Sequence, residues 1–584
     1  MRVARILGLV TIGAFALAAC ADESGTDPRR NQGVDPAENT ATDAPPLGEE
    51  STMSLPRLTR DEYIATLGDL LHAAMPTEAN EILQTVLPLA EAMPPDQLVS
   101  PPAEKHGGFG RLDQSQQQQY ADVPFQVAVQ LGKEATKTPA RIASLVGVCA
   151  STSIDRACFE AFVRKFGELA LRRPLDDEDV AFYVGDAPAT NIPGDTVAKA
   201  VTRLLSAPRF LYHVESGTTA AGANDIFALD AWELASRLSY HFWGTMPDAA
   251  LREAASSGAL LEPARYEAEV ERLFSDTRST TTLTSFFTQW FWPLIELPAL
   301  DSRLRDPVFK AFAGANTPSS ELRGRMVQEV IDAATFIAKS GGSIRDLLTN
   351  RQSFARDPEL AAIYGVAPWN GTGIPPELGP ERAGLLTRAA FLSTGSANTR
   401  PIMKGVFIRT TLLCDPIPPP PQEGMAVAIN LSPTLSTRQV IEELTEKEPR
   451  CAGCHQTQIN PLGFASENFD ALGRLRTTQT LFDATGKVVG QAPINTKSVP
   501  LIGADTGESS GIVQMSQWLA ESGRVEACFA QRYFRFTYRR IESTTGDHAL
   551  IEVLAKSARE GGAIAKVLKA SALRPEFKRR RILQ

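Results

Sequence analysis

Residues 451–455 read Cys-Ala-Gly-Cys-His, and no other stretch of the chain restricts its local fold so tightly. In a C-x-x-C-H the two thiols and the adjacent imidazole have the spacing that holds one haem through two thioethers and an axial histidine. The chain must wrap tightly for both thiols to reach, and Ala452 and Gly453 leave room for that wrap. This reading assigns Cys451 and Cys454 to thioethers with haem c and His455 to the iron. Three other readings stay open: a redox dithiol, half of a zinc site, or a plain disulfide beside a bystander histidine. A dithiol of this spacing normally opens a helix in a thioredoxin-like βαβ pattern, and none is visible here. A zinc site calls for a second close Cys/His pair, whereas the only later histidine is His548.

Haem c is attached outside the cytoplasm, so the N-terminus bears on the question. Arg2 and Arg5 supply positive charge, residues 6–17 an apolar run, and Leu17-Ala18-Ala19-Cys20 a small-residue cleavage site ending in cysteine. This is the pattern of a lipoprotein signal, with Cys20 as the acylated first residue of the mature chain. The apolar run falls short of the ~20 residues that a membrane span needs. The expected location is therefore the bacterial cell envelope, at the periplasm or the cell surface, with the membrane as a partner through Cys20. Residues 21–50 are polar and nearly free of large apolar side chains, which predicts a disordered tether.

Of the seven cysteines, lipidation and haem attachment use three. The remaining four, Cys149, Cys158, Cys414 and Cys528, suggest two disulfides in an oxidising compartment. The nearest pairing joins Cys149 to Cys158 and Cys414 to Cys528, although four cysteines allow three connectivities. Net charge is −9, and the one dense basic run, Lys578-Arg579-Arg580-Arg581, reads as a solvated terminus. That balance excludes a nucleic-acid partner, which needs a concentrated basic face.

The body reads as mainly α. Thr59 and Glu62 form a capping box before a stripe of Ile64, Leu67, Leu70, Leu71 and Ala74. Helical patterns follow over 141–148 and 159–171, and Pro174 closes the second. Asp176-Asp177-Glu178 opens another with acidic residues suited to a helix N-terminus. Asp230 caps a helix with Glu233 at its third position, Leu234, Leu238, His241 and Phe242 at helical spacing, and Gly244 at its end. The aromatic run 285–292 predicts core. Amphipathic helices are expected over 321–337, 511–520 and from Cys528 onward, and a hairpin around Asp483-Ala484-Thr485-Gly486. His72 and His241 read as packing residues. At roughly 150 residues per unit, the expected divisions are 51–140, 141–220 (with Cys149 and Cys158), 225–370, 380–500 and 501–584.

The order of 58–71, Leu171-Arg172-Arg173-Pro174-Leu175, Ser206-Ala207-Pro208-Arg209-Phe210, the run 238–248 and Gly384-Leu385-Leu386-Thr387 resembles the planctomycete-type cytochrome c multidomain family. Its members are exported bacterial proteins built from serial domains of unknown function. The resemblance covers about Leu55 to Phe577 and implies a multidomain helical body with a C-terminal cytochrome c-like helical domain at 380–500 and a small hairpin. In small c-type cytochromes, which this region also resembles, a C-terminal methionine commonly completes the iron. Met515 is the expected distal ligand, with Met403 and His548 as alternatives. Arg474 and Arg476 are candidates for the propionates by charge, and the backbone near Pro461 is a candidate acceptor for the His455 ring N–H.

The functional expectation is a membrane-tethered, extracytoplasmic c-type cytochrome-like protein, acting in electron transfer or as the redox subunit of an oxidative system, with a redox partner protein. The alternative is a cell-surface binding or scaffold lipoprotein in which C-x-x-C-H is structural and holds no haem. A hydrolase is a third class, without an H-E-x-x-H or a convincing carboxylate pair to support it.

Overall fold

The computed structural model describes residues 56–581 except 97, 100–110, 113–116, 152, 221–225, 296, 298, 419–431, 504–506 and 543–546. The signal-like segment 1–20 with Cys20 and the tether 21–50 lie outside the described residues. The fold is mainly α, and its strands, among the described residues, form three small antiparallel sheets.

Apolar side chains gather into two large cores. The first is built by residues 58–211. Its opening helix, Arg60–Ala74, starts at the expected capping box, with both reciprocal Thr59 and Glu62 bonds present. Leu67, Leu70 and Leu71 on its inner face are buried, each contributing about 2 kcal/mol of hydrophobic burial. Asp155 caps the Arg156–Leu171 helix. The Cys149–Cys158 disulfide ties the first turn of that helix to the preceding Val148–Ser151 turn.

The second core runs from Leu229 to Phe577. At its centre the Ser279–Trp290 helix meets the Arg524–Tyr538 helix through rings: Phe286 lies 5.8 Å from Phe529 and 5.4 Å from Tyr533, and Trp290 lies 5.6 Å from Phe529. The aromatic density of 285–292 is thus core. The Leu322–Lys339 helix crosses this core carrying buried Glu329, whose carboxylate pairs with Arg388 and accepts from Tyr364 Oη and the Phe354 N–H. Gly384 stands at φ +62°, and a Cβ there would fall 2.0 Å from the Leu348 carbonyl oxygen. The Gly-Leu-Leu-Thr run therefore needs glycine both for its backbone angle and for its clearance.

The two cores share the Ala231–Trp243 helix. Leu234, Leu238 and Phe242 belong to the second core, while Tyr240 belongs to the first. Around Tyr240 the family motifs meet. Arg172, with φ +59°, donates to the carbonyls of Phe210 and Tyr212, at 3.2 and 2.9 Å, and to the Tyr240 hydroxyl at 3.3 Å. That hydroxyl also bonds Thr66 Oγ1 at 2.7 Å. Beside it, His213 Nε2 lies 3.3 Å from Glu62 Oε2, and Arg539 pairs with the same carboxylate. The basic terminus departs from expectation. Arg579–Arg581 is a strand paired antiparallel with Ile226–Ala228, and Lys578 Nζ lies over the Tyr266 ring at 4.0 Å. Strand pairing uses only backbone N–H and C=O, so it is indifferent to side-chain charge, and long basic stems cover apolar surface while their heads reach out.

Burial by itself raises the Glu62 carboxyl pKa, but Arg539 and His213 outweigh it and hold the group well below its ordinary value of 4.5. A depressed carboxyl stabilises the fold above its unfolded pKa, and that stability is lost as pH falls below about 4.5. Glu62→Gln should leave Arg539 without its partner and cost about 3–5 kcal/mol at neutral pH. It should also flatten the acid limb of the stability profile, measured by denaturant midpoint between pH 7 and 3.

Candidate functional site

The C-x-x-C-H lies on three short helical pieces. Pro449–Cys454 is an α-helix opened by proline, His455–Ile459 a π-helical turn, and Asn460–Phe464 a second α-helix. Pro461 explains the break. It has no N–H to offer and its ring crowds the carbonyl four residues back, so a regular helix cannot run through it, and the turn before it widens.

The assembly is pinned to the Pro401–Phe407 helix by two glycines. A Cβ at Gly405 would fall 2.0 Å from the Ile459 carbonyl oxygen, and a Cβ at Gly463 would fall 2.0 Å from that of Pro401. Backbone packs directly on backbone at both points. The π-turn is held again at Gln458, whose carbonyl accepts from Arg409 Nε and Nη2 at 3.2 and 3.0 Å. Arg409 pairs with Asp415 at 2.8 Å, and Asp415 with Arg524. Beside this chain of charges stands the Cys414–Cys528 disulfide, with Cα atoms 5.3 Å apart.

The His455 ring is oriented by Asn460. Its Nδ1 lies 3.2 Å from Asn460 Oδ1, while Asn460 Nδ2 donates to Glu446 Oε1 at 2.8 Å and to Thr445 Oγ1 at 3.0 Å. A carboxylate can only accept, so the amide end facing Glu446 must be the NH2 and the end facing His455 the oxygen. His455 therefore carries its proton on Nδ1, and the lone pair of Nε2 is available. The acceptor of the ring N–H is thus the Asn460 side chain. The Pro461 carbonyl takes a different donor, Ser498 Oγ, at 2.7 Å.

Cys451 has a free, partly exposed thiol. Cys454 is buried beside Val406 and Ile459, with Ile402 and Ile417 packed on them. Met515 is fully buried in the second core, on the Ile512–Glu521 helix that packs against Ile344–Thr349; it does not belong to the Cys454 cluster. Met403 is 53% exposed on the helix that packs against the motif, and His548 is exposed at the start of its own helix.

The charged residues after the motif have structural partners. Arg474 pairs with Asp470 at 2.7 Å and donates to the carbonyls of Ala313 and Phe312. Arg476 pairs with buried Glu467 at 3.1 Å, and the other Glu467 oxygen accepts from Thr399 Oγ1 at 2.6 Å. Each arginine is thus paired with a carboxylate of its own segment. Sequence reasoning also passed over Lys404. It is buried, donates to Ser466 Oγ at 3.2 Å, and has its pKa pushed down to about 8 by burial. Its signal was a lysine inside an otherwise apolar helix. Gly507-Glu508-Ser509-Ser510-Gly511 matches the G-x-S-x-G pattern, yet Ser509 is fully buried and its hydroxyl donates to the Gly511 carbonyl, so it is not presented as a nucleophile. A cleft of about 350 Å³ lies between Arg476, Asn468 and the start of the Ile512–Glu521 helix, and none of its lining residues belongs to the motif. Among the described residues no cluster of three His, Cys, Asp or Glu side chains is arranged for a metal ion, and no helix is long and apolar enough to cross a membrane.

Residues 229–366 match PSD4, a protein of unknown function (DUF1592), and residues 382–479 match PSCyt3, a protein of unknown function (DUF1588). Both are planctomycete cytochrome c-type serial domains. Two regions of the chain thus match domains of the family that its ordered segments resemble. The comparisons with curated proteins and with solved structures give no match. The PSD4 match begins at the cap of the Ala231–Trp243 helix. The PSCyt3 match contains the glycine-pinned crossing, the motif and the Glu467 network.

Gly405→Ala or Gly463→Ala should drive a methyl into a carbonyl and destabilise this lobe by about 1–3 kcal/mol or more, read as earlier loss of amide protection over 401–464. Asn460→Ala should cost roughly 1–3 kcal/mol and release the His455 tautomer, so that nitrogen NMR reports a mixture in place of one Nδ1–H form.

Proposed function

We propose that the 380–500 region is a c-type cytochrome-like lobe carrying one covalent haem on Cys451, Cys454 and His455, and that the protein works in extracytoplasmic electron transfer. The observation that carries this reading is the relay from Glu446 through Asn460 to His455. It serves the purpose of an outer shell around a ligating histidine: it fixes the tautomer, aims the ring and keeps Nε2 free for a metal. The two domain matches support it, and so does the free thiol at Cys451 within the C-x-x-C-H spacing. A bound haem would supply one-electron chemistry. The chain's own part is to orient His455, to hold the π-turn through Arg409 and Gln458, and to wall the buried side of Cys454 with Val406 and Ile459.

In the same reading Cys20 is lipidated and tethers the protein in the bacterial envelope, and a redox protein is the electron partner. The Met515 thioether is enclosed by the second core, so ligation by it requires that core to open; Met403, on the neighbouring helix, is closer to solvent. The second reading is a binding or scaffold lipoprotein without haem, in which the C-x-x-C-H is structural.

The test is production of the full chain with c-type maturation machinery. The expected result is a Soret band and a haem stain that survives denaturation, both lost in Cys451→Ala and Cys454→Ala. Met515→Ala should leave the visible spectrum unchanged while costing about 2–5 kcal/mol as a core truncation. A wild-type mass equal to that of the bare lipidated chain would sink the haem reading in favour of the scaffold.

A further inference from the structure

His241, which reads from sequence as a packing residue, is hydrogen-bonded to a buried tyrosine at the centre of the aromatic core. Tyr533 Oη lies 2.9 Å from His241 Nε2 and 3.5 Å from the Leu568 carbonyl oxygen. Oη and Nε2 are close enough for one proton to pass between them, and a ring that carries its own proton on Nδ1 takes the phenol's hydrogen bond at Nε2. Tyr533 is 4% exposed, and the space beside the pair is a cavity of about 10 Å³, room for no more than one water.

From this pair a ladder of rings leads away. Phe529 and Phe286 each touch Tyr533, at 6.1 and 5.4 Å, and each touches Trp290, at 5.6 and 5.8 Å. The two oxidisable side chains are therefore one ring apart by two routes. Trp292, two residues beyond Trp290, is 46% exposed. The indole N–H of Trp290 donates to the Thr411 carbonyl at 2.8 Å. A carbonyl accepts a hydrogen bond but is not a base, so an oxidised Trp290 has nowhere to send its proton and passes the hole on. Tyr533 does have a base, within the 2.6–3.2 Å reach that proton transfer requires.

The geometry points to Tyr533 and His241 as a redox-active tyrosine–histidine pair, fed through Trp290, that delivers one electron to an outer-sphere one-electron oxidant of high potential at the Trp292 face. Tyr533 loses one electron through Phe529 and Phe286 and loses its phenolic proton to His241 Nε2. One O–H bond breaks and one N–H bond forms. The products are a neutral tyrosyl radical, an imidazolium and the reduced oxidant. Burial pushes the Tyr533 pKa up and so disfavours a phenolate, which couples the two departures. Burial, with Arg539 and Arg237 nearby, lowers the His241 pKa to about 3 and keeps the ring neutral to receive the proton. Those same guanidiniums resist the imidazolium, so the radical is short-lived and the pair relays holes. The inference uses no haem and is independent of the cytochrome reading.

The test is flash oxidation of the full chain by a photogenerated tris(bipyridine)ruthenium(III) complex, followed by transient absorption and electron paramagnetic resonance. We expect a neutral tyrosyl radical whose spectrum shows coupling to imidazole nitrogen in protein labelled with ¹⁵N-histidine. Tyr533→Phe should lower the tyrosyl yield and lengthen the tryptophan radical lifetime by about tenfold, corresponding to about 1.4 kcal/mol of barrier. His241→Leu should slow tyrosyl formation and abolish its solvent deuterium isotope effect. The labelling readout needs no substitution, so it stands even if a variant fails to fold. A tyrosyl yield unchanged in Tyr533→Phe, no detectable tyrosyl radical, or a wild-type radical without histidine coupling would overturn the assignment.

Discussion

The lobe that carries the cysteine motif depends on one contact, the crossing of Pro401–Phe407 over Asn460–Phe464 at Gly405 and Gly463. With Cβ positions that would fall 2.0 Å from a carbonyl oxygen on each side, the crossing exists only because both residues lack a side chain. Its consequences spread in both directions. The π-turn that presents His455 ends at the Ile459 carbonyl on which Gly405 rests. The helix on the other side continues through its own π-turn to Thr411, whose carbonyl holds Trp290. The motif and the aromatic core are thus attached to opposite ends of the same element.

Buried ions hold the larger pieces in register. Glu329 with Arg388, Glu62 with Arg539 and His213, and Glu467 with Arg476 are each nearly closed to solvent on the carboxylate side. Such pairs add little net stability compared with apolar residues of the same shape, because desolvation offsets most of the attraction. Breaking one is costly, however, and the Glu329–Arg388 and Glu62–Arg539 pairs join segments far apart in sequence. Their effect is to penalise every arrangement but one, which suits a chain whose helices are individually ordinary.

Much of the fold was legible in the sequence, because the determinants were local. Capping boxes at Thr59 and Asp230, the proline after Arg173 and the glycine at 244 act within four residues of themselves, and each appears where expected. The two disulfides followed from the cysteine count and the nearest spacing. At the site, the motif itself was plain, but its surroundings were not. Asn460 as the acceptor for His455 and the enclosure of Met515 in another core depend on contacts between segments. The basic terminus misled for a related reason: its composition suggests solvent, whereas its backbone found a strand to pair with.

By itself the sequence determined a mainly helical chain, the five-residue motif and the ordered segments that resemble the family, since all of these are written in local pattern and order. Only the tertiary structure decided which nitrogen of His455 is free, why Gly384, Gly405 and Gly463 must be glycine, and that His241 faces Tyr533. Those facts are distances between residues up to 292 positions apart. Local propensity cannot encode such distances; they are set when two cores close on a shared helix and every buried polar group must find its partner.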